Sequence, residues 1–156
     1  MSAPALAAAS STPIGFEVLG DPVPQGSHSA FVVKGRAVVT NRGGARLGSW
    51  RAQIAATAGE LVDEPLAGPV EMHLRFTLTR PKSHYRAGKV ERGLRDDAAE
   101  YVAHRPDLDK LVRAVLDALT GVAFADDGQV AVLVAEKHYG TRAGVRVDLA
   151  PLEARS

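Results

Sequence analysis

Five acidic residues fall within "RPDLDKLVRAVLDALTGVAFADDGQV", from Arg105 to Val130, and all five are aspartate. Asp107 and Asp109 stand two apart, Asp126 and Asp127 are adjacent, and Arg113 and Lys137 are the cations placed around them. Carboxylates without imidazole or thiolate neighbours are hard oxygen donors, a set that suits Mg2+ or Mn2+. If three or four of them converge, their repulsion in a partly buried site must be offset by positive charge. Arg113 and Lys137 supply part of that charge, and a divalent ion would supply the remainder. Such an ion bridges to phosphate oxygens and lowers the pKa of a bound water. Beside a basic segment, that chemistry is phosphodiester hydrolysis on nucleic acid.

Each pair also has a plainer explanation. An aspartate at a helix start is ordinarily an N-cap worth about 1 kcal/mol, although one cap is enough and here there are two candidates. Asp126-Asp127-Gly128 is ordinary turn chemistry. Convergence requires the chain between Thr120 and Asp127 to run back along the helix. Extended at about 3.3–3.6 Å per residue, "GVAFA" could retrace much of a helix that rises about 1.5 Å per residue.

The elements that must position these residues are read from periodicity. Ile14, Phe16 and Val18 alternate as a strand, and after a Pro/Gly break two β-branched runs meet at Lys34-Gly35 as a hairpin. Trp50, Ile54, Ala58, Leu61 and Val62 recur at helical spacing, with Ser49 as the expected cap. Val70, Met72, Leu74, Phe76 and Leu78 alternate with polar residues in the clearest strand of the chain. Leu108, Leu111, Val112, Val115, Leu116 and Leu119 trace one face of a helix closed by Thr120-Gly121, with Asp109, Arg113 and Asp117 opposite. "QVAVLVAEKHYG" is a strand, with "VRVDLAPL" expected as its hairpin partner.

Residues 81–104 have neither period and are expected to form a flexible basic loop. Arg80, Lys82, Arg86, Lys89, Arg92 and Arg95 face Glu91 alone, a net +5 over 16 residues in a chain whose total is +1. His84, Tyr85 and Tyr101 are interleaved with these cations and offer stacking or phosphate hydrogen bonds. Arg80, Lys82, Arg86, Lys89, Arg92, Arg95, Lys110 and Lys137 are the candidate DNA contacts. The five histidines show no metal-ligand spacing and are assigned to no metal.

The 156 residues suit one domain able to bury roughly 68–70% of its unfolded surface. Residues 1–13 are expected to be a disordered leader and 14–152 a single domain. Without cysteine there are no disulfides, zinc-thiolate sites or thiol nucleophiles, which suits a cytoplasmic protein. No segment approaches the roughly 18 apolar residues of a membrane span.

"RPDLDKLVRAVLDALTG", then "ADDGQV", then a strand carrying Lys137, resemble the RusA family of Holliday junction resolvases, common in phages and prophages. "GDPVPQGS" and "FTLTRPKSHY" are similar to the family as well, and the resemblance runs from about Phe16 to Tyr139. It implies a homodimeric α+β protein with a mixed sheet and two principal helices. It also implies a Mg2+-dependent nuclease that resolves a four-way junction by paired symmetric nicks, one site per subunit. By that match Asp107, Asp109 and Asp127 are the essential metal-binding acids, Asp126 a neighbouring contributor and Arg113 the basic residue one turn after the second aspartate. Two positions depart from the pattern: Lys110 replaces the usual asparagine, and Arg113 stands where lysine is common. Arginine keeps the charge but cannot give up a proton, so a phosphate clamp suits it better than a general acid. Two rival functions are a non-catalytic DNA-binding module and a nucleotide-sugar transferase using Asp107-Leu108-Asp109 as a metal-binding D-x-D.

Overall fold

A computed structural model of the protein describes residues 13–26, 28–33, 35–41 and 44–153. Nearly all of the expected leader lies outside the described residues, as does Lys34 of the hairpin turn. The described residues form six strands and two α-helices: β1 Ile14–Leu19, β2 His28–Val33, β3 Arg36–Asn41, α1 Gly44–Leu61, β4 Val70–Thr79, α2 Leu108–Leu119, β5 Val130–Gly140 and β6 Gly144–Pro151. β2 and β3 pair with each other as a separate two-stranded sheet.

The main sheet has the order β1-β6-β4-β5. β1 is antiparallel to β6, β6 antiparallel to β4, and β4 parallel to β5, so the sheet is mixed. The expected hairpin of β5 with β6 is therefore corrected. β4 lies between them, and residues 141–143 carry the chain past the end of β4. β6 can come this close to β1 because Gly144 has no side chain: a Cβ there would stand 2.5 Å from the Val18 carbonyl oxygen.

One face of the sheet is apolar. Phe16 and Val18, Val70, Met72, Leu74 and Phe76, and Val145, Val147 and Leu149 are buried on it, as the alternation within each strand requires. Both helices cover this face. α2 contributes Leu111, Val112, Ala114, Val115, Ala118 and Leu119, and α1 contributes Leu47, Trp50, Ile54 and Ala58. α1 begins six residues earlier than the spacing from Trp50 suggested, and Leu47 extends the buried stripe by three residues. Ser49 consequently lies inside the helix and not at its cap, and Leu61 is exposed. The opposite sheet face is polar and carries the pairs Glu71–His73, Arg75–Glu136 and Arg146–Asp148.

β5 is an edge strand with two different halves. At its end, Tyr139 N–H donates to the Glu100 carbonyl at 2.9 Å and Val102 N–H to the Lys137 carbonyl at 3.2 Å, so residues 100–102 cover the outer edge. Backbone groups alternate sides along a strand, so Leu133 and Ala135 point outward like Lys137 and Tyr139. Among the described residues they have no outer backbone partner. Val132, Leu133 and Val134 are 38–50% exposed there. An open apolar edge of this kind is a template for pairing with another chain.

Leu111 is completely buried, and Leu111→Ala is expected to lower unfolding free energy by about 2–5 kcal/mol in urea melts. A loss below about 1 kcal/mol would mean that α2 is not packed as described.

Candidate functional site

Asp107 is the residue before α2, with φ −70° and ψ 135°, and its side chain makes no capping hydrogen bond. Its carboxylate instead lies 3.9 Å from the Lys110 ammonium, both side chains being about half exposed. Asp109 lies in the first turn of α2, and Arg113 one turn later, both exposed. Capping therefore does not account for either acid. The segment "PVPQ" packs beside this turn, where Gln25 N–H donates to the Lys110 carbonyl at 2.9 Å.

The end of β5 lies against the same region. Lys137 Nζ donates to the carbonyls of His104 at 2.5 Å and Pro106 at 2.8 Å. Tyr139 is buried. Its hydroxyl is 2.7 Å from His104 Nε2, the His84 ring meets it edge-on at 4.7 Å, and the Arg80 guanidinium lies 5.4 Å from its ring centre. Arg80 Nη1 also donates to the Ala99 carbonyl at 2.6 Å.

Asp126 and Asp127 stand at the other end of the element order. Asp126 caps a short 3-10 turn, Asp127–Gln129, by accepting from Gly128 N–H at 3.0 Å, and Gln129 Oε1 accepts in return from Asp126 N–H at 3.1 Å. Gln129 Nε2 anchors the turn to the Leu66 and Gly68 carbonyls. The Gly128 donation, and after it a hydrogen bond with Asp127, hold the Asp126 carboxyl below the ordinary range. Asp126 is thus accounted for as a cap. Asp127 is exposed and caps nothing.

The two aspartate pairs do not meet within one chain. Residues 121–123 form a turn, with Gly121 N–H donating to the Phe124 carbonyl and Val122 N–H to the Leu119 carbonyl, so "GVAFA" does not extend back along the helix. α2 starts beside Lys137 and ends where Phe124 bridges Leu66, just before β4. Asp107 and Asp109 therefore lie at one end of a 12-residue helix, about 18 Å long at 1.5 Å per residue, and Asp126 and Asp127 lie beyond the other. Among the described residues no group of three or more histidine, aspartate or glutamate side chains is placed to hold a metal ion. The expected convergence of all four acids is corrected to that extent.

The basic segment forms three consecutive 3-10 turns, Lys82–His84, Arg86–Gly88 and Val90–Arg92, closed by a bridge between Tyr85 and Leu94. Its charge is smaller than the run of cations suggests, because the next residues are acidic and fold back. Arg86 pairs with Asp96 at 2.8 Å and Arg95 with Asp97 at 3.1 Å. Among the described residues, Lys82, Lys89 and Arg92 are exposed and have no side-chain hydrogen bond or ion pair. Lys137 is not one of these outward cations, since backbone carbonyls occupy its ammonium.

Sequence reasoning missed Tyr139, His104 and Gln129. Gln129 had a readable signal: Asp126 followed three residues later by glutamine is the spacing of a capping box. The contact of Tyr139 with His104 spans 35 residues and carries no local signal.

A family model described as endodeoxyribonuclease RusA matches residues 20–150. YqaN, an uncharacterized protein of Bacillus subtilis (strain 168), is 30% identical over 146 residues, which covers 90% of this chain and 98% of that protein. Among the described residues no helix is long and apolar enough to cross a membrane.

The cap assigned to Asp126 can be tested by carbon-detected NMR titration. Its carboxyl is expected to titrate below the ordinary value of about 3.9, and Gly128→Pro, which removes the donor, should return it toward that value. A depressed folded value stabilises the protein above the unfolded pKa, and that contribution disappears as pH falls through the folded value. An unperturbed titration in the wild type would remove the cap.

Proposed function

The chain belongs to the RusA endodeoxyribonuclease family, and from that premise we propose a Mg2+-dependent nuclease that resolves Holliday junctions by paired, symmetric nicks. The observation that carries the reading is the position of Asp107, Asp109 and Asp127. All three are exposed acids that make no capping hydrogen bond, whereas Asp126 is used as a cap. Their oxygen donors suit Mg2+ in kind, but among the described residues of one chain too few of them stand together.

A second copy resolves that shortage. Antiparallel pairing of the open β5 edges about a two-fold axis sets the start of one β5 beside the end of the other. Asp127 of one copy is then carried toward Asp107 and Asp109 of its partner, and the exposed Val132, Leu133 and Val134 are covered. Each of the two composite sites draws on both chains. The two-fold axis relates the sites as two equal cuts in strands of like polarity require. The ion, when bound, neutralises charge on the phosphate oxygens and acidifies a water.

The chain's own side chains have separate tasks in this proposal. Asp107, Asp109 and Asp127 would hold the ion, with Asp126 fixing the turn that carries Asp127. Arg113, exposed one turn after Asp109, clamps a phosphate and transfers no proton. Lys82, Lys89 and Arg92 contact the junction arms, where contacts to phosphates fix orientation and junction shape supplies selectivity. Support for the non-catalytic rival weakens because capping accounts for only one of these four acids.

Asp109→Asn tests the assignment on a synthetic mobile four-way junction. The variant is expected to keep wild-type junction binding in Ca2+ and to lose Mg2+-dependent cutting by at least about 100-fold, on the scale of removing one essential catalytic group. Wild-type cutting by the variant would remove Asp109 from the site. A wild-type protein that binds the junction but never cuts it would favour the DNA-binding module.

A further inference from the structure

We infer that Lys137 is a positioning residue for the acids at the start of α2 and not a DNA contact, an inference that rests on the function proposed above. Lys137 stands opposite Phe76 in the β4–β5 register, on the sheet face covered by the helices. A lysine on that face must find acceptors, because an unpaired ammonium near the core is costly. Its acceptors are the carbonyls of His104 and Pro106, two of the three residues that lead into Asp107. An ammonium has three donors and no acceptor, so two of the three directions are committed to this segment.

The segment is held from other sides as well. Val102 N–H donates to the Lys137 carbonyl, and His104 Nε2 meets the Tyr139 hydroxyl. β5 therefore grips residues 100–106 through its backbone and through two side chains that leave it on the helix side. Removing the ammonium would leave two carbonyl oxygens without their donor, and the segment would relax. Asp107 and Asp109 would move with it. The same ammonium sits beside the start of α2, where its charge lowers the repulsion of acids gathered there.

Lys137→Met and Lys137→Arg in the full chain test the inference by three readouts: hydrogen exchange, junction affinity against salt in Ca2+, and the Mg2+ midpoint of junction cutting. In Lys137→Met, exchange is expected to rise selectively over residues 102–111 while α1 keeps its protection. Junction affinity and its salt slope should be unchanged. The Mg2+ midpoint should rise about tenfold or more, as for loss of a group that orients metal ligands. Lys137→Arg, which still donates to carbonyls, should recover part of both effects. A salt slope shallower by about 0.9 would make Lys137 a phosphate contact and overturn the inference. Faster exchange throughout the chain with a lower melting temperature, or no change in exchange and midpoint, would overturn it equally. If the wild type does not cut junctions, the proposed function fails, and the exchange pattern alone decides the role of Lys137.

Discussion

Parallel pairing of β4 with β5 sets where the aspartates of this chain can stand. A helix that joins two parallel neighbours must run back antiparallel to them, so it begins at the strands' ends and finishes at their beginnings. Asp107 and Asp109 open that helix and Asp127 follows it, so the fold separates them by the helix length within a single copy. A second chain running the opposite way, as proposed here, would bring the two ends together again. In the proposed dimer, edge pairing of β5 about a two-fold axis would do so, and the edge available for it is the apolar half of the strand.

The remaining polar groups divide by what they already hold. Asp126 and Gln129 complete a reciprocal cap and tie it to the segment before β4. Arg86 and Arg95 are turned onto Asp96 and Asp97, exposed pairs that contribute little to stability but remove charge from the basic segment. Arg80 is spent on Tyr139 and the Ala99 carbonyl. What is left pointing outward is a shorter set, Lys82, Lys89, Arg92 and Arg113, with the three exposed acids Asp107, Asp109 and Asp127.

Most of the elements could be read from the sequence, because alternation and 3.6-residue spacing are local. β4 and α2 were placed to their ends, since each has one fully apolar face and a sharp stop. The start of α1 was missed because Leu47 is separated from Trp50 by polar and glycine residues that do not look like a helix start. Pairing was not legible. "VRVDLAPL" follows β5 so closely that a hairpin is the natural expectation, and nothing in either strand tells that β4 inserts between them. The same gap hid the separation of the acids, because their distance depends on strand direction and not on spacing along the chain. The role of Lys137 was equally hidden: its charge is visible in the sequence, but its acceptors are backbone carbonyls more than 30 residues away.

Mixed subunits test most directly whether the proposed site is shared between two copies. Asp109→Asn and Asp127→Asn proteins, each inactive alone, would be co-refolded and assayed for nicking of a four-way junction. In the mixed dimer a shared arrangement leaves one site with both substitutions and the other with none, so nicking on one strand should return. If each chain instead held its own complete site, both sites would carry a substitution. The mixture would then stay as inactive as its components, and the account would be wrong.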